Sequence, residues 1–572
     1  MKLELLEHLY VLKAMGRWST VTALVVVTTT IGVNQLIAAQ QLPSTSQDGV
    51  EVLTRGPVHE AFAETITFDP EPGIVAPEAP PADIEELPPQ QRPEGTNLNW
   101  IPGYWAWDDE RNDFLWVSGI WRALPPGRQW VPGYWGQTGQ VAQWTSGYWA
   151  DANATEIQYL PEPPASVEVG PNVAATSPDQ HWLPGCWVWQ QNRYAWRPGY
   201  WATGHRDWDW VPDHYVWTPS GYVFVDGYYD YSVPRRGVVF APVYFDGGLR
   251  TRRGFTYSPS TVINPGVFVS HLFVRPRYGH YYFGDYYGSN YADAGFSPWF
   301  SYHSSRRGYD PIYANQRWQH RQERDWERRT KDRFRNFHDN EDARPPRTWA
   351  AQRERDGRRD SSNRNRIAVA ESLEELARKK DSRQRFQPVD EKERQQYGQR
   401  GQEYRKYLQQ RQQFEAKATR RPGVDPATAA GPVRRKLSRS PFVAPPADQL
   451  GKKNAPPQRH EVLKPDLQVQ PQPRKRGGQP GIRQAFRPGT ADGPQQQDPQ
   501  ARRNVRSQGQ SQRQSANRDN RQGASAGRQS QGGQRESRGN NRQGASKDPS
   551  NDQRQDASRN QRRGESKKKD KD

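Results

Sequence analysis

Residues 130–149 read WVPGYWGQTGQVAQWTSGYW. The phrase Trp-x-Pro-Gly-Tyr-Trp, starting at Trp130, returns after a polar spacer as Trp-x-Ser-Gly-Tyr-Trp, starting at Trp144. Upstream stand WIPGYW at Trp100 and WVSGIW at Trp116; downstream stand WLPGCW at Trp182 and WRPGYW at Trp196. WVPDHY at Trp210 lacks the glycine and the second tryptophan, and FVDGYY at Phe224 and FAPVYF at Phe240 are softer echoes. Within each block the beat is roughly 14 residues, stretching to about 16, and a fixed period with fixed chemistry marks a repeated supersecondary unit.

Pro followed by Gly suits the two central positions of a type II turn, where the second residue takes a positive φ. This gives Gly103, Gly119, Gly133, Gly147, Gly185 and Gly199 a turn role, with Ser-Gly doing the same less firmly. Between phrases lie second breakers, DDERN, GQTGQ and QQNR. In CWVWQQNRYAWRP, Trp187 and Trp189 are two apart, as are Tyr194 and Trp196. Spacing of two puts each pair on one face of a strand, and a hairpin across the QQN segment sets the pairs opposite each other. The array therefore reads as a meander of short antiparallel strands, turning at the spacers and bending or turning at Pro-Gly. Its aromatics are Trp100, Trp105, Trp116, Trp121, Trp130, Trp135, Trp144, Trp149, Trp182, Trp187, Trp196 and Trp201. Short strands offer little area, and an aromatic side chain supplies about 150–250 Å². These residues serve either as core or, in part, as an outward stacking platform.

Seventeen of the 22 tryptophans lie between Trp100 and Trp217, which concentrates the core-forming material there. Over the whole chain, a hydrophobic fraction of 33% and a mean hydropathy of −1.10 argue against a core filling the entire length. The fold class expected is all-β, an aromatic-rich antiparallel repeat domain of short strands, followed by charged helices and a long disordered basic tail. Residues 1–39 read as a signal peptide: a basic flank at Lys2, Lys13 and Arg17, a Thr-studded apolar run, then small residues suited to cleavage near Ala39. An uncleaved anchor is the alternative, and no other segment has the length and hydropathy of a membrane-spanning helix. Residues 40–97 are Pro- and Glu-rich and read as an extended linker. The repeat domain covers 98–245, with a Pro-rich insert at 155–181, and a Tyr-rich β/loop extension covers 246–315. Residues 316–420 carry Arg, Glu and sparse aromatics at helical spacing, with Ser372 and Glu375 in the capping pattern. Residues 421–572 are dominated by Gln, Arg, Ser, Gly and Asn and read as disordered. The net charge of +18 is carried by the back of the chain, an anion-seeking distribution.

Catalytic signals are weak. Asp108, Asp109 and Glu110 cluster in a spacer, where acidic residues commonly sit for solvation. HRDWDWVPDH gathers His205, Asp207, Asp209, Asp213 and His214, types that bind divalent metals, at a spacing that fits no metal-site pattern. His271, His280 and His303 lie among tyrosines and read as local hydrogen-bonding groups. The single cysteine, Cys186, stands at the Tyr position of its phrase, so neither a disulfide framework nor a thiolate metal cage forms within one chain. No phosphate loop, nucleophile elbow or His-Glu-x-x-His is present. The expectation is a non-enzymatic chain with no metal and no cofactor.

The phrases at 100, 130 and 196, with variants at 116, 144 and 182, resemble the bacterial YXWGXW (WxxGxW) repeat proteins. GYVFVDGYYDYSVPRRGVVFAPVYF resembles the longer, tail-bearing members, some labelled as cell-surface proteins. The resemblance implies an exported location and supplies no reaction, ligand or catalytic residue. The chain is expected to be an exported structural or interaction protein, periplasmic or on the cell surface. Its β domain would bind an envelope protein or polymer, and its basic tail an anionic surface; export argues against specific nucleic acid. One alternative is a carbohydrate-binding module that stacks sugars on exposed Trp and Tyr. The other is a wall-polymer hydrolase using carboxylates of the 108–113 turn or the 205–214 loop.

Overall fold

Two successive phrases fold into one hairpin, and the described residues form four of them. The computed structural model describes residues 48–95, 97–357, 368–379, 384–418, 432–450 and 455–457, all in the first of two units, Met1–Arg476. The first hairpin runs through strands Leu98–Ile101, Tyr104–Asp108, Asp113–Val117 and Ile120–Ala123. The second uses Arg128–Val131, Tyr134–Thr138, Val141–Thr145 and Tyr148–Asp151. The third uses Gln180–Leu183, Cys186–Gln190, Arg193–Arg197 and Tyr200–Thr203, and the fourth Trp208–Val211, His214–Thr218, Gly221–Val225 and Tyr228–Tyr231. In each, the middle strands pair across the polar spacer to form an inner arm, and the first and last strands pair to form an outer arm. The two-residue breaks between the arms face each other and form a waist.

The chain reverses at the spacers. Gln191 and Asn192 both have positive φ, the geometry of a tight hairpin turn whose twist matches its strands. At Pro-Gly the chain only kinks. The type II expectation is corrected here: positive φ falls on spacer residues such as Asn112, Gly139, Gln191 and Asn192, and none of the six waist glycines has it.

The waists need glycine for a different reason. The first tryptophan of each phrase lies over the glycine of the facing phrase. A Cβ on Gly133 would sit 2.5 Å from Trp144 Cζ2, and one on Gly147 2.6 Å from Trp130 Cζ2. The third hairpin repeats this with Gly185 under Trp196 and Gly199 under Trp182. Each first tryptophan also faces the second tryptophan of the other phrase across the strands. The pairs are Trp100 with Trp121, Trp105 with Trp116, Trp130 with Trp149, Trp135 with Trp144, Trp182 with Trp201, and Trp187 with Trp196. Their ring centroids lie 5.0–5.5 Å apart, mostly edge to face. Such pairs contribute about 0.5–1.5 kcal/mol each beyond their buried area. The degenerate phrase at Trp210 and the echo at Phe224 keep the plan, with Trp210 opposite Tyr229 and Tyr215 opposite Phe224.

Three hairpins gain further strands. FAPVYF and the residues before it supply Gly237–Val239 and Val243–Phe245, which lie along the first hairpin, Val238 opposite Trp121 and Val243 opposite Trp116. Val75–Ala76 joins the inner arm of the second. Glu156–Leu160, the start of the Pro-rich insert, joins the fourth. The Tyr-rich extension forms a small sheet of Leu272–Arg275 and His280–Phe283 with Gly56–Pro57 and Ser297–Pro298. The architecture is thus mostly strands in small, almost wholly antiparallel sheets. Helices follow at Pro311–Gln319, Trp326–Asp339, Trp349–Gly357 and Glu391–Ala418.

Two boundaries differ from the sequence reading. The described part of 40–97 is threaded through the core: Val58, Ala61, Phe62 and Ile66 are buried. Its Pro and Glu content suggested a solvated spacer, but Glu60, Glu64 and Glu86 accept backbone amides of the hairpins. The segment also bonds to buried arginines. Arg122 donates to the Ala61 carbonyl and pairs with Asp230, and Arg236 donates to the Phe62 carbonyl and pairs with Asp209 and Asp230. Likewise, residues 432–450 return to the body. Val433–Lys436 pairs with Glu156–Leu160, and Phe442 is 0% exposed beside Tyr404. The expected signal peptide and most of the expected disordered tail lie outside the described residues.

Candidate functional site

At the waist of a hairpin, strand pairing is interrupted and two amide N–H groups face inward. Buried amides need acceptors. In the first hairpin Glu86 accepts from Gly103 N–H at 2.6 Å and Gly119 N–H at 2.9 Å. In the second, Glu60 takes Gly133 N–H at 2.7 Å on one oxygen and Gly147 N–H at 3.0 Å on the other. In the third, Glu168 accepts from Gly185 N–H and from the Trp182 indole. In the fourth, Asp213 stands where the phrase has glycine, and it accepts from Gly227 N–H at 2.8 Å. The residue that makes the Trp210 phrase look damaged thus supplies that hairpin's own carboxylate.

Glu60 and Glu86 are almost completely buried, and that burial pushes each carboxyl up to about 7 against the downward pull of its two amides. The opposite side of the second waist is held by the helix Glu391–Ala418. Arg411 donates to the Pro132 and Ser146 carbonyls, lies over Tyr134 and Tyr148, and pairs with Glu415 in full burial. Glu415 in turn accepts from the Tyr134 and Tyr159 hydroxyls. In the first waist His59 contacts the Pro102 carbonyl at 3.1 Å.

The repeat aromatics divide by hairpin. Trp100, Trp105, Trp116, Trp121, Trp130, Trp135, Trp144, Trp149 and Trp187 are buried, whereas Trp182, Trp196 and Trp201 are partly exposed. The outer-arm pair is 0–1% exposed in the first two hairpins, yet open in the third. There it lines a groove of about 930 Å³ that runs toward the helices Pro311–Gln319 and Trp326–Asp339. Arg306, Arg317, Arg321 and Arg324 reach this groove, as do Glu168, Glu323 and Glu327.

The acidic candidates are engaged elsewhere. Asp108 accepts from the Tyr244 hydroxyl, Asp109 pairs with Arg275, and Glu110 pairs with Arg55 and Arg347. Asp209 pairs with Arg236, Asp213 with Arg197, and Asp207 lies 3.8 Å from Arg235. His214 contacts the Pro212 carbonyl, His271 the Tyr287 hydroxyl, and His280 the Tyr104 hydroxyl. His205 forms a bridge to Trp208 and meets Tyr229 edge to face. Among the described residues, no group of three or more His, Cys, Asp or Glu is placed to hold a metal ion, and no helix is long and apolar enough to cross a membrane. Cys186 is a free thiol, and burial pushes it upward.

Glu60, Glu86, Glu168 and Arg411 escaped the sequence reading because each lies outside the hairpin whose glycines or carbonyls it binds. A signal existed for one: Glu60 sits in HEAFAE, an apolar island within a polar stretch.

This arrangement defines a tryptophan-rich array of kinked β-hairpins. The chain carries WXXGXW repeats: the family described as WXXGXW repeat (2 copies) matches residues 99–122, 178–202, 194–212 and 206–228. These spans cover the first, third and fourth hairpins; the second, outside them, has the same register and the same waist. No curated protein and no solved structure matches the chain.

Proposed function

We propose that this is an exported, non-enzymatic interaction protein of the cell envelope or surface. Its hairpin array is architecture, and its partner is met at a limited surface. The observation that carries the reading is the use of the repeat itself. Nine of the twelve repeat tryptophans are buried, and every waist carries a structural carboxylate. The acidic residues nearest to a hydrolytic pair, at 108–110 and 207–213, are tied up with arginines or hydroxyls. Export rests on the character of residues 1–39, and affinity for anionic surfaces rests on the basic chain beyond residue 457.

The test is fractionation of the full chain in a bacterial host, followed by co-sedimentation with isolated envelopes over a salt series. Recovery outside the cytoplasm and salt-sensitive sedimentation, weakened by deleting 458–572, are expected. A cytoplasmic chain, or release of soluble sugar from the envelopes, contradicts the reading. The deletion begins at 458 because residues 432–457 include part of the core.

A carbohydrate-binding role is the second reading. It is favoured by one observation, the partial exposure of Trp182 and Trp201 where their counterparts in the first two hairpins are sealed.

A further inference from the structure

We propose that the groove beside the third hairpin binds an acidic oligosaccharide, seated on Trp182 and Trp201 with its carboxylates held by Arg306 and Arg324. The proposal rests on the interaction-protein reading above and names the ligand class of one surface.

Equivalent positions of the four hairpins differ in exposure. Each outer arm carries an aromatic pair next to the waist. The pairs Trp100–Trp121, Trp130–Trp149 and Trp210–Tyr229 are buried. Only Trp182 and Trp201 remain partly open. Their indole N–H groups are already engaged, with Glu168 and with the Val173 carbonyl. What they offer the groove is therefore apolar ring surface, suited to the C–H face of a sugar ring.

Charge decides which sugar. Each carboxylate lining the groove is committed within its wall: Glu168 to Gly185, Glu323 to His320 and Arg329, and Glu327 to Arg317. Arg321 pairs with Asp179 and lies 4.3 Å over Trp318. Arg306 and Arg324 are exposed, line the groove and make no ion pair among the described residues. Two uncommitted guanidiniums beside an aromatic pair complement a ligand with apolar faces and planar carboxylates, which arginine binds in bidentate fashion. A volume of about 930 Å³ is at the upper end of small-ligand sites, enough for several rings. Single-stranded nucleic acid also combines stacking with negative charge. The two indoles meet at 73°, however, and offer no parallel slot for a flat base.

The full chain is titrated with an oligogalacturonate hexamer, cellohexaose and an oligothymidylate, followed by calorimetry and tryptophan fluorescence. Saturable binding of oligogalacturonate with a change in fluorescence is expected, with cellohexaose and oligothymidylate at least tenfold weaker. The double variant Arg306→Asn, Arg324→Gln should lose at least tenfold in affinity. Asparagine is chosen because residue 306 has φ +59. Arg252→Gln, a change to another exposed arginine, should leave affinity unaltered, and circular dichroism should report the same fold for all variants. Absence of oligogalacturonate binding, equal affinity in the double variant, or equal binding of the neutral sugar or oligothymidylate overturns the proposal. Any of these results with envelope co-sedimentation intact removes the groove alone; loss of export or of co-sedimentation removes the reading beneath it.

Discussion

Glu60 and Arg411 grip the same two peptide groups from opposite sides. Glu60 accepts from the N–H of Gly133 and Gly147, while Arg411 donates to the carbonyls of Pro132 and Ser146, the other ends of those peptide units. A break in strand pairing is thereby fully hydrogen-bonded by residues 351 positions apart in the chain. The second hairpin, the segment before the array and the helix Glu391–Ala418 become one structural unit.

Removing the carboxylate should expose its cost. Glu60→Ala orphans two buried N–H groups, at about 1–3 kcal/mol for each. Glu86→Ala should do the same at the first waist. Urea denaturation measures both, and a change below about 1 kcal/mol in either variant would deny these residues their structural role.

The waist glycines should reject a methyl group. Gly133→Ala places Cβ 2.5 Å from both Trp144 Cζ2 and Glu60 Oε1. Neither neighbour has room to retreat, so a loss of about 1–3 kcal/mol or more is expected. Gly247→Ala is the control, since nothing lies within 4 Å of its Cβ and its φ is ordinary. Thermal melts of the pair should separate by several degrees.

Stability should fall between about pH 6.5 and 8. Burial raises the Glu60, Glu86, Asp209 and Asp310 carboxyls to about 7. The folded chain keeps protons there that the unfolded chain has released, so stability is lost as pH rises through 7. Buried His59, His271, His280 and His303 act in the opposite sense, because burial lowers them to about 3 or 4. They add stability as pH rises toward 6.5, the unfolded value, and nothing above it. The two sets oppose each other in acid, which leaves the decline visible above pH 6.5, at about 1 kcal/mol per carboxyl. Urea midpoints from pH 6 to 8 test this, and Glu60→Gln should flatten the slope.

Phe442 links the returning segment to the core. Its ring is 0% exposed, and its carbonyl accepts from Trp130 N–H. Phe442→Ala should cost about 3–5 kcal/mol, as for other buried aromatics. A neutral result would mean that residues 432–450 dock without contributing to stability.

The sequence made the strands legible because their signal is local. Trp187 and Trp189 alternate against Tyr194 and Trp196 within a dozen residues, and the expected hairpin formed with the expected partners. The waist was misread for the opposite reason. Pro-Gly has a strong local turn meaning, but here glycine answers to an indole from the facing phrase and to a glutamate from outside the hairpin. The linker reading failed on the same ground, since composition reports average solvation and not the single partner that Glu60 or Glu86 finds. The role of the repeat tryptophans was left open between core and platform, and burial divides them by hairpin: sealed in the first two, open at Trp182 and Trp201. That difference depends on which other segments cover each hairpin, which no repeat motif encodes.

Amide hydrogen exchange at the waists tests the central claim most directly. Peptides containing Gly103, Gly119, Gly133 and Gly147 should exchange only at the rate of global unfolding in the native chain. In Glu60→Ala, protection should collapse at Gly133 and Gly147 while Gly103 and Gly119, held by Glu86, stay protected. Rapid exchange at all four glycines in the native chain, or an equal loss at both hairpins in the variant, would contradict a fold in which one carboxylate secures each waist.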